Sequence, residues 1–310
     1  MNLVNRIMPV ERFAPSPNGR LHLGHAFSAL TAFDAAQKAG GRFLLRIEDL
    51  DRSRARAEHE AAILEDLAWL GLSWEEPVMR QSRRGPAYRA ALTRLALAGL
   101  LYPCTCSRRD VAEAARAPQE AATGEAPLPE GPDGVAYPGL CRNGPGVREA
   151  PHALRLDMRR AVEALGGADA VAQLETYEIG AGPKGETGRR PLDADWLVRR
   201  CGDVVLSRKD GEAAYHLAVV VDDAAQGITH VTRGEDLFSA APLHRLLQAL
   251  LRLRVPVWRH HRLIRDADGR RLAKRDLDVG LAELRSAGET PEGVRDRLGL
   301  PPAVFAETRR

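Results

Sequence analysis

The sequence predicts an α/β protein built on a doubly wound parallel sheet that is split by an insertion. Three observations carry this expectation. Short apolar runs alternate with amphipathic helical patterns through the N-terminal third. A second set of such elements starts near Asp203. Between the two sets lies a stretch rich in Ala, Pro, Gly and Glu, bracketed by cysteines. Strands alternating with helices imply parallel pairing, because a parallel strand needs a long crossover connection and a helix supplies it.

The elements follow in order. Val10 to Ala14 reads as a strand running into the turn Pro15-Ser16-Pro17-Asn18-Gly19. His22 to Lys38 reads as a helix closed by Gly40-Gly41, since glycine supplies the backbone reversal at a helix end. Arg42 to Ile47 is a short apolar strand. Glu58 to Leu70 places Ala61, Ile63, Leu64, Leu67 and Ala68 at helical spacing before Gly71, and Tyr88 to Leu100 repeats the pattern. Asp203 to Ser207 and Ala218 to Val221 read as strands, the second because four consecutive apolar residues suit a strand buried on both faces. Pro242 to Leu253 reads as a helix. The insertion starts at Pro103. Within it, Ala115 to Val135 reads as a mobile excursion, since it lacks hydrophobic periodicity. The expected units are therefore 1–102 and 192–255 as two halves of one catalytic sheet, 103–191 as an inserted subdomain, and 256–310 as a helical remnant.

A chain of 310 residues can bury a large core. Its composition, 44% hydrophobic and 28% charged, is that of ordinary globular proteins. The net charge of +3 is too slight to imply nucleic-acid binding by itself, though local basic patches can still form. The N-terminus lacks an apolar signal-peptide core and no run is long enough to span a bilayer. Cytoplasmic residence and no membrane partner are expected. The four cysteines then read as thiols or metal ligands rather than disulfides. Nothing in the sequence demands more than a monomer.

The chemistry concentrates in Arg12-Phe13-Ala14-Pro15-Ser16-Pro17-Asn18-Gly19-Arg20-Leu21-His22-Leu23-Gly24-His25. A strand, a Pro/Gly turn and a helix N-terminus form an anion site, where free backbone N–H groups and the positive end of the helix dipole face a ligand. His22 and His25 add donors, and Gly24 leaves room for a flat base. An isolated His-x-Gly-His is a weak signal, because histidines in a first helical turn commonly just cap it. A second element strengthens it. Arg270-Arg271-Leu272-Ala273-Lys274-Arg275-Asp276 follows a turn at Asp268-Gly269. A mobile loop carrying a lysine can close over a triphosphate and offset charge that develops on leaving pyrophosphate.

Together these segments resemble the two ATP signatures of the class I aminoacyl-tRNA synthetases, in the glutamyl branch. Lys274 stands at the second lysine of that family's Lys-Met-Ser-Lys-Ser loop. Arg271, Leu272, Ala273 and Arg275 depart from its other positions. The resemblance implies a Rossmann-like catalytic sheet, ATP bound through His22, Gly24, His25 and Lys274, and catalysis by His22, His25 and Lys274. Magnesium is expected to accompany ATP, although no carboxylate cluster marks a dedicated protein site. Two further segments, Tyr215-His216-Leu217-Ala218-Val219-Val220-Val221-Asp222-Asp223 and Val231-Thr232-Arg233-Gly234-Glu235-Asp236-Leu237, resemble glutamyl- and glutaminyl-tRNA synthetases. By that resemblance Glu48 meets the ammonium of L-glutamate, Arg12, Tyr215 and Arg233 hold carboxylates, and Ser16 completes the pocket. Guanidinium groups suit the task because they match carboxylates with two parallel hydrogen bonds.

Cys104-Thr105-Cys106 and Tyr137-Pro138-Gly139-Leu140-Cys141 offer three thiolates and a phenol, enough to close a structural tetrahedral zinc site. The same branch includes proteins with Cys-x-Cys followed by Tyr-x-x-x-Cys, so the resemblance implies one Zn2+. The gap between the halves is longer here. Loop-closure entropy grows only logarithmically with length, so the gap does not exclude the site. Cys201 lies elsewhere and reads as a small buried hydrophobe.

The acceptor is the last expectation. Ordinary members of the branch continue well past the lysine loop into an anticodon-binding region, whereas this sequence reaches Arg310 soon after Lys274. The resemblance thus implies a truncated form without an anticodon-binding domain. Such a form activates glutamate without tRNA and transfers it to queuosine at the wobble position of tRNA(Asp), receiving an anticodon stem-loop. Arg52 to Arg56, Arg83-Arg84 and Arg189-Arg190 are candidate RNA contacts. Two other readings stand beside it: a minimal synthetase charging a tRNA 3′ end, and a catalytically silent RNA-binding protein.

Overall fold

The computed structural model describes residues 8–120, 130–144, 151–264 and 280–303. Lys274 and its loop, 270–276, lie outside the described residues. The N-terminal third is a β-α-β-α-β-α run: β1 (Val10–Phe13), α1 (Leu23–Lys38), β2 (Arg42–Ile47), α2 (Ala57–Trp69), β3 (Glu75–Arg80) and α3 (Gly85–Leu97). Its strands pair in parallel in the order β1-β2-β3. Next come β4 (Leu101–Cys104), α4 (Arg108–Glu120), the hairpin of β5 (Glu130–Gly131) and β6 (Gly134–Val135), and β7 (Ala153–Leu156). Then follow α5 (Met158–Ala164), α6 (Gly167–Ala172), β8 (Glu175–Glu178), β9 (Gly188–Pro191), α7 (Ala194–Trp196) and β10 (Val205–Ser207). The remainder holds α8 (Tyr215–Ala225), β11 (His230–Gly234), α9 (Ala240–Leu251), β12 (Val257–His261), α10 (Leu281–Ser286) and α11 (Pro291–Leu298).

The expected parallel sheet is present, but the sheets as a whole are mixed. β11, β12 and β8 run parallel, while β9 turns back along the edge. β4, β7 and β10 form a separate antiparallel sheet. The parallel groups meet at β1 and β11. Thr229 N donates to Val10 O at 3.0 Å, and Val10 N donates to Thr229 Oγ1 at 2.8 Å. Farther along, Arg12 Nη1 donates to Thr232 O, so the two strands advance in the same direction. One arm continues from β1 to β2 and β3, the other from β11 to β12 and β8. Strand order therefore reverses between β1 and β11, which is where open α/β sheets bind ligands.

Two expectations need correction. Ala218 to Val221 is not a strand but the middle of helix α8. Leu217, Ala218, Val219 and Val220 are each at most 2% exposed, because α8 packs against α3, α9 and β10. A helix enclosed on all sides shows no polar stripe, so its apolar run cannot be told from a strand by periodicity. Ala115 to Val135 is also more ordered than expected: α4 continues to Glu120 and the β5–β6 hairpin occupies its end. The segment's Ala, Glu and Arg favour helix without any apolar pattern. Residues 121–129 lie outside the described residues. Cys201 is buried in the main core, as expected. Among the described residues no helix is long and apolar enough to cross a membrane.

The enclosure of α8 predicts a sharp contrast. Leu217, fully buried, should cost about 2–5 kcal/mol when replaced by Ala, since contacts are lost and a cavity remains. Leu97, 85% exposed at the end of α3, should change stability by no more than about 0.5 kcal/mol in Leu97→Ala. Denaturant midpoints measure both.

Candidate active site

At the strand-order reversal lies a cavity of about 400 Å³ lined by Arg12, Ser16, His22, Gly24, His25, Glu48, Tyr215 and Arg233. These eight are all the candidate amino-acid and nucleotide residues within the described chain. They come from the end of β1, the turn that follows it, the start of α1, the residue after β2, the start of α8 and the end of β11.

His22 is the N-cap of α1, and its imidazole does work a Ser or Asp usually does. Its Nδ1 accepts from Gly24 N at 3.1 Å, and its own backbone N–H donates to His25 Nδ1 at 3.3 Å. The two rings lie close, with centroids 3.8 Å apart and planes tilted by 35°. Two of the helix's orphan donors are thus satisfied reciprocally. A Cβ on Gly24 would stand 3.0 Å from His22 Cε1, so glycine lets the ring fold back over the helix start. With both Nδ1 atoms accepting, the neutral rings carry their proton on Nε2, the donor each can offer a ligand. Burial lowers the pKa of His22. Burial and then the neighbouring His22 ring lower His25 to about 3. Both rings are therefore neutral donors rather than cations.

The floor of the cavity is charged. Asp223, on α8, accepts from Arg12 Nε at 3.1 Å and from Arg46 Nη1 at 2.7 Å, both at Oδ1. Burial alone would raise Asp223, but Arg12 and Arg46 outweigh it and hold the carboxyl below its usual value. Arg46 Nη2 donates to Glu48 Oε1 at 3.1 Å. Burial raises the Glu48 pKa against the pull of Arg46, so an arriving ammonium would favour its ionised form. Tyr215 is likewise raised by burial. Arg233 is 6% exposed and is held by His260, His244 and Leu237 O.

The sequence reading missed Asp223, although the pair Asp222-Asp223 inside an apolar helix was a visible signal. It also missed His261 and Ser28, whose side chains line the cavity and meet at 2.8 Å. Of the basic candidates for RNA, Arg84 is bonded to buried Asp222 and Arg52 to Glu212.

Away from the cavity, the Sγ atoms of Cys104, Cys106 and Cys141 lie within 4.8 Å of one another. Cys106 and Cys141 Sγ are 3.6 Å apart. The Tyr137 phenol oxygen is 3.5 Å from Cys104 Sγ and 3.4 Å from Cys106 Sγ. Sulfurs on a tetrahedral ion with 2.3 Å bonds stand about 3.8 Å apart, so this donor set fits a metal ion. Burial would raise the Cys141 thiol, but bonds from Tyr137 and the Thr105 backbone draw it down to about 7, and a thiolate is what a metal requires.

The catalytic-domain model "tRNA synthetases class I (E and Q)" matches residues 10–302. The chain belongs to this family. It is an enzyme of the aminoacyl-tRNA ligase type. The glutamyl-Q tRNA(Asp) synthetase of Rhodobacter capsulatus is 52% identical over 295 residues, covering 94% of this chain and 100% of that protein. The glutamyl-Q tRNA(Asp) synthetase of Nocardia farcinica is 45% identical, covering 94% of this chain and 85% of that one. Among solved structures, the glutamate-tRNA synthetase of Elizabethkingia anophelis superposes with a TM-score of 0.67 at 28% identity over 87% of this chain. This synthetase chain spans 53% of that structure's length.

The neutral His25 carries a pH signature. Its folded value, about 3, lies below the ordinary 6.5, so the unfolded chain binds more protons between those values. Stability is full above pH 6.5 and falls as pH drops toward 3. Wild type should therefore lose more unfolding free energy than His25→Asn between about pH 7 and about pH 4. Urea titrations at several pH values test the slope.

Proposed function

We propose that this synthetase activates L-glutamate with ATP, without tRNA, and transfers it to queuosine at the wobble position of tRNA(Asp). The observation that carries the reading is the convergence of the eight candidate residues on one cavity at the strand-order reversal. The names of its relatives, glutamyl-Q tRNA(Asp) synthetases at up to 52% identity, favour queuosine over a tRNA 3′ end as acceptor.

In this reading Glu48 receives the ammonium, and Arg12, Tyr215 and Arg233 face the carboxylates, with Ser16 beside them. The triphosphate lies at the start of α1, with the base against Gly24. A glutamate carboxylate oxygen attacks the α-phosphorus, the bond to pyrophosphate breaks, and a glutamyl-adenylate forms. A hydroxyl of the queuosine cyclopentene-diol then attacks the acyl carbon, and AMP leaves. No protein nucleophile is needed, so catalysis is positioning plus stabilisation of developing charge. His22 and His25 donate from Nε2, and Lys274 brings the positive charge. Mg2+ arrives with ATP. Zn2+ held by Cys104, Cys106, Tyr137 and Cys141 braces the segment between β4 and β7 and takes no part in the chemistry. The enzyme acts as a monomer.

ATP–pyrophosphate exchange should depend on glutamate and proceed without tRNA. His25→Ala and Lys274→Ala should each slow it by roughly 10²–10³, the usual effect of removing one preorganised donor. Labelled glutamate should reach queuosine-containing tRNA(Asp) but neither queuosine-free tRNA(Asp) nor tRNA(Glu). Product on tRNA(Glu) 3′ ends alone would favour a minimal charging enzyme, and absent exchange would leave a silent RNA-binding protein.

Elemental analysis should find about one zinc per chain, as a closed four-ligand site holds. Cys141→Ser should lose that zinc to a chelator and melt at a lower temperature than wild type. A zinc-free wild type of unchanged stability would remove the metal from the account.

A further inference from the structure

Arg233 ends β11 almost fully buried, yet its hydrogen-bond partners are uncharged. Nε donates to His260 Nε2 at 3.0 Å, Nη1 to His244 Nδ1 at 3.3 Å and Nη2 to Leu237 O at 2.9 Å. A guanidinium can only donate, so both imidazole nitrogens facing it must accept. That fixes the tautomers outward along two chains.

The first chain is short. His260 carries its proton on Nδ1 and donates it to Glu178 Oε2 at 2.5 Å. The other Glu178 oxygen, Oε1, is pinned by two backbone donors, His260 N at 2.9 Å and Gly180 N at 2.7 Å. The second chain is longer. His244 carries its proton on Nε2 and donates to His216 Nδ1 at 2.9 Å. His216 Nε2 then donates to Asp133 Oδ1 at 3.0 Å, on the turn of the β5–β6 hairpin. Burial, then Arg233, lowers the His244 pKa well below its ordinary value, in keeping with a neutral ring.

The contrast with the neighbouring arginines is direct. Arg12 and Arg46 are bonded straight to Asp223, and Arg46 also to Glu48. Among the described residues Arg233 forms no ion pair. Three of its five N–H groups are taken without a carboxylate in contact, and the anions at the ends of the two chains stand one and two imidazoles away. None of Glu178, His260, His244, His216 and Asp133 lines the cavity; they meet it through Arg233, which two of them bond, and through Tyr215, whose ring lies against those of His216 and His244.

We propose that Glu178–His260 and Asp133–His216–His244 are two positioning relays that hold Arg233 by neutral nitrogen acceptors, keeping its positive charge for a carboxylate of the amino-acid substrate. The inference rests on the reading of the cavity as a glutamate site. An anionic acceptor in the same place would hold the guanidinium equally well and cancel the charge the substrate needs.

The test uses two nearly isosteric substitutions. In His244→Asn and His244→Asp, a side-chain oxygen can replace Nδ1 as acceptor, and the Asp variant alone adds charge. In glutamate-dependent ATP–pyrophosphate exchange, His244→Asn should keep KM for glutamate within about threefold of wild type, and His244→Asp should raise it at least about tenfold with KM for ATP unchanged. Equal KM values for glutamate in the two variants overturn the proposal, since a merely structural role predicts that result. Wild type without glutamate-dependent exchange overturns the glutamate reading and this inference with it. Where His244→Asp does not fold, Glu178→Gln serves. Its amide oxygen takes the two backbone donors, its NH2 faces His260 Nδ1, and the imidazole is forced to place N–H against N–H of Arg233. KM for glutamate should again rise at least about tenfold, and an unchanged value overturns the proposal. Nitrogen-15 shifts of the rings read the tautomers without activity: Nδ1–H at His260 and Nε2–H at His244 and His216 are expected, and any other assignment overturns the relays.

Discussion

The Asp223 carboxylate is the joint on which the site depends. It comes from α8 and binds Arg12 of β1 and Arg46 of β2 through one oxygen. Three elements from distant parts of the chain are thereby fixed where β1 meets β11. Arg46 is fully buried and Arg12 is 5% exposed, so neither cation can turn to water for compensation. Taking away the shared anion would leave two buried guanidinium groups facing each other. That is far more costly than losing a surface ion pair, because low-dielectric surroundings do not screen the uncovered charge. The same triad carries Glu48 into place, since Arg46 reaches Glu48 with its other terminal nitrogen.

This arrangement divides the buried arginines by task. Arg46 is spent on the architecture, and Arg12 is shared, giving Nε to Asp223 and Nη1 to Thr232 O while it lines the cavity. Arg233 is supported by imidazoles and a carbonyl, and the support leaves its charge unmatched. A pocket for a molecule with two carboxylates and one ammonium needs such asymmetry. If every cation in it were already paired, an incoming carboxylate would have to displace an internal one and would gain little.

The strand–turn–helix at the start of the chain was legible because its signals are local: an apolar run, a Pro/Gly turn, a histidine cap and a glycine. The Cys-x-Cys and Tyr-x-x-x-Cys segments were legible for the same reason, and the fold brings their donors together across 35 residues between Cys106 and Cys141. Helix α8 was misread because burial on all sides erases the pattern that separates helix from strand. β3 escaped notice because Glu75, Glu76 and Pro77 resist a strand reading, and parallel pairing with β2 overrides that local preference. The relay around Arg233 was invisible. Its members at positions 133, 178, 216, 244 and 260 are ordinary residues in the sequence, and only the packing of β8, β12, α8 and α9 turns them into partners.

The protonation state of the two motif histidines constrains where the remaining charge must come from. His22 and His25 are neutral, since their Nδ1 atoms already accept backbone donors and burial opposes a second proton. They can orient a phosphate oxygen and donate to it, but they cannot offset the charge that accumulates as pyrophosphate departs. The helix N-terminus contributes about half an elementary charge at most. Arg12 is already bonded to Asp223, and on the reading above Arg12 and Arg233 are both committed to the amino acid. The compensating charge for the leaving group must then come from Arg262, which lines the cavity beside Phe27, on that reading from the Mg2+ that accompanies ATP, or from elsewhere in the chain. The basic run from Arg270 to Arg275 carries the same chemistry, and on the reading proposed above Lys274 performs a task the histidines cannot.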